Sequence, residues 1–394
     1  MDEQGTWLFG ADAWKDPYPN YARLRAQSPW RQDTPGDSDG SALWCFLRHD
    51  DVYNGLRDHE TFSSKAMGNA PGSEGEPQLV LISDDPPRHT NFRRLVNRAF
   101  TPRRIAELEP WITSVSTELL DGMGAGEVDV VKNYTMPLPV KAIARLLGIP
   151  GDDYATFKQW TDSFLGGDAD SSTGGDRGRD VMAMLAYFGE MVAKRRDAPA
   201  ADLITALVEA EIEGEKLQDW EVLGFAILLL VAGNETTTNL MGNMLNALAQ
   251  RPELWKQLRE DRSLVERVVE ETLRYESPVQ VLFRRTLRDV EVNGRLIPTG
   301  ERVGMFYGAA NRDPEAFPEP DEFRLDRDLH NHVGFGMGIH YCLGSPLARA
   351  EARITLNQFL DRFAELGPGS SAGVRQTMTP IVFGFRELPL ALGA

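Results

Sequence analysis

The chain alternates long amphipathic stretches with short apolar runs, a pattern typical of a mainly helical protein with small β-sheets (α+β). Apolar positions at helical spacing predict helices over residues 17–27, 217–250, 265–275 and 346–366. Short apolar or alternating runs predict strands at residues 42–48, 290–292 and 381–385. Segments 68–75 and 166–178 are rich in small and polar residues, so we expect loops there.

The longest predicted helix, residues 217 to about 250, has an apolar centre followed by a polar segment. At 1.5 Å per residue it would extend roughly 45–50 Å, across most of a domain. Its centre, residues 226–231, is entirely apolar, which indicates burial, and the next seven residues read Ala-Gly-Asn-Glu-Thr-Thr-Thr. These polar groups weaken a buried helix, and a threonine that bonds back to a carbonyl bends it. A local kink would explain the threonines but not the buried acid, Glu235.

One cysteine, Cys342, lies at the end of a glycine-rich loop, just before the helix predicted at residues 346–366. The free N–H groups and positive dipole end of that helix stabilise an anionic sulfur, so we expect a lowered thiol pKa. The glycines remove side chains, which lets the backbone approach something large and flat. A soft anionic ligand against a planar cofactor is the arrangement of a haem iron held by cysteine. The alternative is a buried structural cysteine in a glycine-rich turn.

Composition and charge narrow the function classes. The chain has 394 residues, of which 42% are hydrophobic, and its two cysteines do not make a disulfide framework. The net charge of −17 argues against a nucleic-acid partner. The longest apolar run, residues 225–232, is far shorter than the roughly 20 residues of a membrane span, and the polar N-terminus lacks a targeting pattern. We therefore expect a cytoplasmic protein without membrane contact.

The loop around the cysteine resembles the haem-binding loop of the cytochrome P450 family. The match covers Phe335, Gly336, Gly338, His340, Cys342 and Gly344 at the family's spacing. Other motifs recur in family order from roughly residue 18 to residue 390. The resemblance implies a single haem domain over residues 1–394, built as a triangular prism with the haem between the long helix and the helix that follows the cysteine. It also implies haem b with Cys342 as axial ligand, and Phe335 packed near the sulfur.

The polar segment of the long helix is similar to the family's oxygen-activation motif. On that resemblance Ala232 and Gly233 leave room for O2, the Thr236 hydroxyl hydrogen-bonds during oxygen activation, and Glu235 relays protons. The intact acid–alcohol pair favours a monooxygenase over a haem-thiolate peroxygenase. It also argues against a haem-based binder or gas sensor without turnover. A cysteine hydrolase using Cys342 is a weaker alternative, because no orienting acid or oxyanion hole is evident.

Two further motifs resemble P450 structural and propionate-binding elements. The implied propionate donors are His89, Arg93, His340 and Arg284, although Arg285 beside Arg284 leaves that position open by one. The implied buried structural network consists of Glu271 and Arg274, with Arg327 as the expected third member. We expect the other histidines, at positions 49, 59, 330 and 332, to face solvent or neighbouring helices.

The resemblance also implies a substrate and redox partners. The expected pocket walls are apolar and suit a small or medium organic substrate: Leu81, Ile82, Val231, Val281, Leu282, Phe283, Ile381 and Val382. Gln280 is a candidate polar contact. The chain has no flavin or iron–sulfur segment of its own, so electrons would come from NAD(P)H through a reductase and a ferredoxin, acidic and of [2Fe-2S] type or similar.

A run of arginines interrupts the acidic composition. Residues 88–104 hold six arginines and no acid. This is either a solvated helix face or a docking surface for the acidic ferredoxin. The candidate docking residues are Arg94, Arg98, Arg103, Arg104, Arg349 and Arg353. We expect the protein to be a monomer.

Overall fold

The computed structural model describes residues 8, 10–33, 42–67, 80–97, 100–149, 154–165, 174–212, 215–377 and 379–393. Its helices are α1 (Ala11–Lys15), α2 (Tyr18–Arg25), α3 (His49–Arg57), α4 (Arg88–Val96), α5 (Pro102–Met123), α6 (Pro137–Leu147), α7 (Tyr154–Leu165), α8 (Gly174–Asp197), α9 (Leu203–Val208), α10 (Asp219–Ala249), α11 (Pro252–Glu260), α12 (Val265–Tyr275), α13 (Tyr307–Ala310) and α14 (Ser345–Arg362).

The strands are shorter, and half of those in the described residues lie within the first 63 or the last 30 residues of the chain. They are β1 (Trp30–Asp33), β2 (Ala42–Phe46), β3 (Phe62–Ser63), β4 (Gly126–Asp129), β5 (Glu211–Ile212), β6 (Glu215–Lys216), β7 (Val281–Thr286), β8 (Val290–Val292), β9 (Arg295–Ile297), β10 (Arg302–Phe306), β11 (Glu365–Pro368), β12 (Val374–Arg375), β13 (Phe385–Glu387) and β14 (Pro389–Gly393).

Helix α10 forms the axis of the helical part. A capping box between Gln218 and Glu221 satisfies free N–H groups at its start. Its apolar centre is buried in the main core cluster, where it packs against α6, α8 and α14. A helix of 31 residues extends about 46 Å, which agrees with the predicted length. This packing brings the polar segment of α10 into the middle of the protein.

The largest sheet has the strand order β1-β2-β10-β7-β3 and lies beside the helical part. Strand β10 pairs in parallel with β2 and antiparallel with β7. In the β10–β7 pair, Val303 lies opposite Arg284 and Met305 lies opposite Leu282. Directly opposed residues point to the same face of a sheet, so these four side chains share one face.

The predicted helices at residues 217–250 and 265–275 and the predicted strand at residues 290–292 are confirmed, and the other predicted elements need corrections. Helix α14 ends at Arg362, because β11 begins three residues later. The loop predicted at residues 166–178 is wrong for residues 174–178, which form the first turn of α8. The part of it at 166–173 and the loop at 68–75 lie outside the described residues.

A strand over the whole of residues 381–385 is wrong. Only Phe385 belongs to a strand, β13, while Val382 forms a single bridge with Val279. The backbone groups of the segment pair locally with the chain before β7: Gln280 donates its N–H to the Ile381 carbonyl at 2.7 Å, and Phe383 donates to Pro278 at 2.8 Å. The segment is therefore a loop held against the start of β7. Within the described residues, no helix combines the length and apolarity that crossing a membrane requires.

Candidate active site

The cysteine loop owes its shape to glycines. Gly336 and Gly338 have φ angles of +71° and +70°, in the left-handed region that favours glycine. A Cβ on Gly338 would lie 2.6 Å from the Leu56 carbonyl oxygen, so the loop also packs directly on the end of α3. Cys342 donates its N–H to the Phe335 carbonyl at 2.9 Å, which closes the loop at its base.

The Cys342 sulfur sits at the start of α14 and accepts the backbone N–H groups of Gly344 and Ser345. Burial nevertheless raises the pKa of the thiol, and this outweighs those two bonds and the nearby cations Arg93 and Arg349. The expected lowered pKa is therefore wrong for the polypeptide alone. A buried sulfur with amide donors becomes a thiolate when a metal cation bonds it, so this environment fits a haem iron.

The accessible face of α10 is formed by Ala232, with Thr236 one turn further on. Ala232 is exposed, whereas Val231 before it and Asn234 and Glu235 after it are buried. The Thr236 hydroxyl donates to the Ala232 carbonyl at 2.6 Å, the back-bond that bends helices. A Cβ on Gly233 would lie 2.6 Å from Ile143 Cδ1, so this glycine lets α10 approach α6. The small side chain of Ala232 thus leaves the accessible face of α10 open, whereas Gly233 allows α10 and α6 to pack closely.

Glu235 lies on the buried side of the same turn and is only 4% exposed. Its carboxylate accepts a hydrogen bond from the Asn239 side-chain amide at 3.4 Å. The acid and the alcohol are neighbours in sequence, but the acid points into the protein and the alcohol lies beside the accessible Ala232. This geometry suits a carboxylate that passes protons between the interior and the accessible face.

Four cationic or titratable side chains gather beside the cysteine loop: His89, Arg93, Arg284 and His340. The rings of His89 and His340 have centroids 4.3 Å apart. Burial and the neighbouring cations lower the pKa of His89 to about 4 and that of His340 to about 2. Within the described residues, neither ring nitrogen of His89 has a hydrogen-bond partner.

Such a cluster fits a dianionic group. Of the two carboxylates that influence His89, Asp84 pairs with Arg88, and Asp85 already accepts hydrogen bonds from Ser63 and the Ser64 N–H. Two carboxylates on a bound cofactor would neutralise the arginines and supply acceptors for the buried imidazole of His89. The residues present therefore fit the two propionates of a haem whose iron meets Cys342.

The alternation of side chains along β7 shows which of two neighbouring arginines, Arg284 or Arg285, faces the cluster. Arg284 is 3% exposed and lies on the face shared with Leu282, towards His340. Arg285 lies on the other face, exposed, and donates to the Gly300 carbonyl at 2.8 Å. Because side chains alternate along the strand, Arg284 faces the cluster and Arg285 faces away from it.

The same alternation divides the expected pocket walls. Leu282 faces the cluster side, whereas Val281 and Phe283 pack on the opposite face in the core around Tyr21 and Trp30, which removes them from the expected wall. Leu81 is buried and Ile82 half-buried just before α4. Val231, at 7% exposure, precedes the accessible Ala232, while Ile381 and Val382 lie in the loop held against β7.

Gln280 was expected as a polar contact in that pocket, and this is wrong. It is 2% exposed and donates to the Ser277 carbonyl and to the Tyr18 hydroxyl. The described candidate walls are therefore entirely apolar: Leu81, Ile82, Val231, Leu282, Ile381 and Val382.

Comparisons with known proteins decide the family. The family model described as Cytochrome P450 matches residues 180–372. A cytochrome P450 109 from Bacillus spizizenii is 40% identical over 384 residues, which cover 95% of this chain and 92% of the relative. The chain belongs to the cytochrome P450 family. It is an oxidoreductase of the P450 monooxygenase class, whose cofactor is a haem-thiolate iron.

One further relative is named for the compound that it hydroxylates, and one similar structure contains a bound steroid. A vitamin D(3) 25-hydroxylase from Pseudonocardia autotrophica is 37% identical, covering 98% of this chain and 96% of that protein. The structure of CYP109E1 from Bacillus megaterium in complex with testosterone has a TM-score of 0.88 and 34% identity, covering 98% of this chain and all of that one. The P450 fold of the chain is therefore shown by sequence and structure together.

The structural network of this P450 is centred on Glu271, which is fully buried with Arg274. The Glu271 carboxylate accepts Arg274 Nε and Nη2, both at 2.8 Å, and Arg327 Nε at 3.3 Å. Arg327 also donates to the Pro318 and Glu319 carbonyls. The three residues thus join α12 to the segment at 317–327, behind the cysteine loop.

The sequence analysis missed a second network on the outer side of this loop. Glu270 accepts both Arg349 Nε, at 2.6 Å, and His332 Nε2, at 2.9 Å. Burial alone would raise the pKa of Glu270, but these bonds lower it to about 2. The Arg349 guanidinium donates to the Tyr341 hydroxyl at 3.1 Å and lies 4.5 Å over the Phe335 ring. Phe335 and Tyr341, two residues of the cysteine loop, are therefore held by a single arginine.

Two of the histidines expected to face solvent or neighbouring helices are buried, and His332 contacts Glu270 on helix α12, as the second of those placements requires. His332 is 8% exposed and accepts the Gly334 N–H, and His49 is 7% exposed and contacts the Asn331 carbonyl. His59 is half-buried and close enough to His89 and His340 to lower their pKa values. A usable signal for His332 was its place three residues before Phe335, at the start of the loop.

The arginine-rich surface is less positive than its sequence indicates. Glu107 pairs with both Arg103 and Arg104, Glu109 pairs with Arg353, and Glu270 pairs with Arg349. These acids lie beyond residue 104 or on another helix, so a count along residues 88–104 does not see them. Arg94 is exposed and bonds only Asn91 among the described residues, and Arg98 lies outside those residues.

Proposed function

We propose that residues 1–394 act as one haem b domain that hydroxylates an apolar organic substrate, with Cys342 as the axial ligand. The proposal is carried by a half-buried cysteine at a helix start with a cluster of two arginines and two histidines beside it; the accessible alcohol on α10 is consistent with the same assignment. The P450 family of the chain supports the same assignment.

When bound, haem supplies the reductive activation of O2, with one oxygen atom passing to the substrate and the other to water. The chain's own groups do the rest. His89, Arg93, Arg284 and His340 hold the propionates, and the amides of Gly344 and Ser345 share the charge of the sulfur. Ala232 keeps the accessible face of α10 open.

Proton delivery is assigned to Glu235 and Thr236. The Thr236 hydroxyl donates to the Ala232 carbonyl and can rotate to hydrogen-bond a molecule at the accessible face. Glu235, held by Asn239, would pass protons towards that hydroxyl. This pair favours oxidation by O2 over a reaction that takes its oxygen from peroxide.

Electrons would come from NAD(P)H through a reductase and an acidic [2Fe-2S] ferredoxin, to a P450 that acts as a monomer. The proposed contact surface is the exposed arginine side of α4 and α5, with Arg94, Arg103 and Arg104. Partial pairing with Glu107 reduces its charge, so we expect modest electrostatic attraction that falls with salt. Arg349 and Arg353, both ion-paired, would line its edge.

The substrate is proposed to be a compact apolar molecule of the steroid or secosteroid class. The described candidate walls carry no charged group, one relative is named for vitamin D(3), and one similar structure is a complex with testosterone. An apolar pocket gains affinity with the apolar area that it buries, which favours a rigid polycyclic substrate.

The test is turnover with isotopically labelled O2, NADPH, a ferredoxin and its reductase, using testosterone and vitamin D3 as probes. One labelled oxygen atom in a hydroxylated product supports the proposal. Product that carries oxygen only from added peroxide would favour a peroxygenase instead. A shift of the haem spectrum without any product would favour a binder.

A further inference from the structure

Tyr307, the first residue of α13, brings a phenol to the cysteine loop. Its side chain is 4% exposed and belongs to the core cluster of Val303, Met305 and Val333. It follows β10 directly and continues the series of Val303 and Met305, whose partners across the sheet are Arg284 and Leu282. The phenol therefore lies on the sheet face that carries Arg284.

The hydroxyl of Tyr307 lies at the loop itself. A Cβ on Gly336 would come within 3.2 Å of the Tyr307 oxygen. Gly336 already requires glycine for its φ of +71°, so the close approach of this hydroxyl is a second constraint on the same residue. The phenol oxygen thus reaches the backbone of the segment that presents Cys342.

The electrostatic surroundings of the hydroxyl agree with this placement. Burial raises the pKa of Tyr307, Arg284 lowers it, and the Cys342 sulfur raises it, so the oxygen lies in the field of both groups. Among the described residues, the hydroxyl has no hydrogen-bond partner. Tyrosines with a buried ring usually find a hydrogen-bond partner for the hydroxyl, and here the oxygen is left available to donate to a bound group.

We propose that Tyr307 is a further haem-binding residue whose hydroxyl donates a hydrogen bond to the propionate that Arg284 neutralises. The inference rests on the haem site assigned under Proposed function. A carboxylate between a guanidinium and a phenol receives two charge-assisted bonds, which are the strong class of hydrogen bond. Tyr307 would therefore slow the loss of haem and, by offsetting propionate charge, raise the reduction potential of the iron.

The test compares two Tyr→Phe variants of the full-length holoprotein. Tyr307→Phe removes the hydroxyl and keeps the packed ring. Tyr134→Phe is the matched control, because Tyr134 is also fully buried but bonds Ser116 and Thr355 in the core instead of facing the cluster. The rate of haem transfer to excess apomyoglobin is measured, together with the midpoint potential by spectroelectrochemical titration.

Tyr307→Phe is expected to lose haem about tenfold faster than the wild type and to have a more negative midpoint potential. Tyr134→Phe is expected to lower the melting temperature while leaving both haem readouts within about twofold of the wild type. Wild-type haem retention and potential in Tyr307→Phe would overturn the proposal, as would equal changes in both variants.

A third variant covers the case in which Tyr307→Phe does not accumulate as holoprotein. Tyr307→Met removes the donor with a flexible apolar side chain and gives the same two readouts. A red-shifted carbon monoxide band in the wild type with unchanged haem loss in the variants overturns only the role of Tyr307. A wild type that binds no haem overturns the haem site itself.

Discussion

Asn239 donates a hydrogen bond to Glu235 across one turn of α10, and the same asparagine packs against the loop that carries Ile381 and Val382. The Glu235–Asn239 distance is 3.4 Å, and Asn239 is fully buried. A Cβ on Gly384 would lie 2.0 Å from the Asn239 side-chain oxygen, so only glycine lets the loop lie this close. The acid proposed to relay protons is thus connected through one side chain to a proposed wall of the substrate pocket.

Replacing Asn239 by alanine should weaken the coupling of electron use to product formation. The Glu235 carboxyl group loses a donor, and a hydrogen bond is worth about 0.5–1.5 kcal/mol, so we expect a roughly two- to twelvefold higher ratio of peroxide to product. The measurement is hydrogen peroxide and product formed per NADPH. Asn246→Ala, two turns further along α10 and bonded among the described residues only to Gln250 at the surface, is the control. Equal ratios in both variants would contradict the positioning of Glu235.

Thr236→Ala tests the alcohol of the pair directly. Its hydroxyl donates to the Ala232 carbonyl at 2.6 Å, and we propose that it also hydrogen-bonds a molecule at the accessible face of α10. The variant should consume NADPH at a similar rate but release mostly peroxide. Thr236→Ser, which keeps a hydroxyl, should restore much of the product yield. Unchanged coupling in Thr236→Ala would remove the threonine from the relay.

The buried carboxyl group of Glu351 makes the stability of the folded protein depend on pH. It is fully buried on α14, and burial raises its pKa from 4.5 to about 8. The folded state therefore binds this proton more tightly than the unfolded state, so the stabilisation is complete below about pH 4.5 and is lost as pH rises through about 8. By pH 8, where the carboxyl of the folded state is about half ionised, the stabilisation lost relative to low pH is about 4 kcal/mol.

Glu351→Gln should remove that pH dependence. The melting temperature of the holoprotein is measured at pH 5, 6.5 and 8. The variant and the wild type should melt at similar temperatures at pH 5, and the variant should become the more stable of the two as pH rises. Glu253→Gln, exposed on α11, should follow the wild type at all three values. Parallel stability curves for wild type and Glu351→Gln would mean that the carboxyl finds a partner that holds its charge.

Charge reversal tests the proposed ferredoxin surface. The double variant Arg94→Glu and Arg104→Glu should slow the first electron transfer from ferredoxin about tenfold at low salt and by less at 0.5 M salt, where charges are screened. Stopped-flow reduction measures this rate. Peroxide-driven turnover should be unaffected, and Lys256→Glu on α11, away from this surface, should match the wild type. Equal losses in both kinds of turnover would point to damage of the fold.

The long periodic segments and the cysteine loop were predictable from the chain. Helices α10 and α12 follow from runs of apolar residues at helical spacing, because local pattern and tertiary burial agree there. The Glu271–Arg274 pair lies at a spacing that shares a helix face, and Arg327 could be added only from the family resemblance. Features with a local signal were therefore found.

Features that depend on distant contacts were not. The pairing of Glu270 with His332 and Arg349 joins three segments that are distant in sequence, so the spacing of residues within one segment cannot predict it. The raised pKa of Cys342 reflects burial, which outweighs the helix start that was visible in the sequence. Gly384 and Gly233 owe their identity to Asn239 and Ile143, residues that only the fold brings near.

The most direct test of the haem-thiolate assignment is the absorption spectrum of the dithionite-reduced protein under carbon monoxide, recorded for the wild type and for Cys342→Ser. The wild type should give a Soret band shifted far to the red, because an anionic sulfur donates electron density to the iron. Cys342→Ser should lose that band. A wild-type band at the position of a histidine- or thiol-ligated haem, or no Soret band after expression with ample haem, would contradict the assignment of Cys342 as the thiolate ligand.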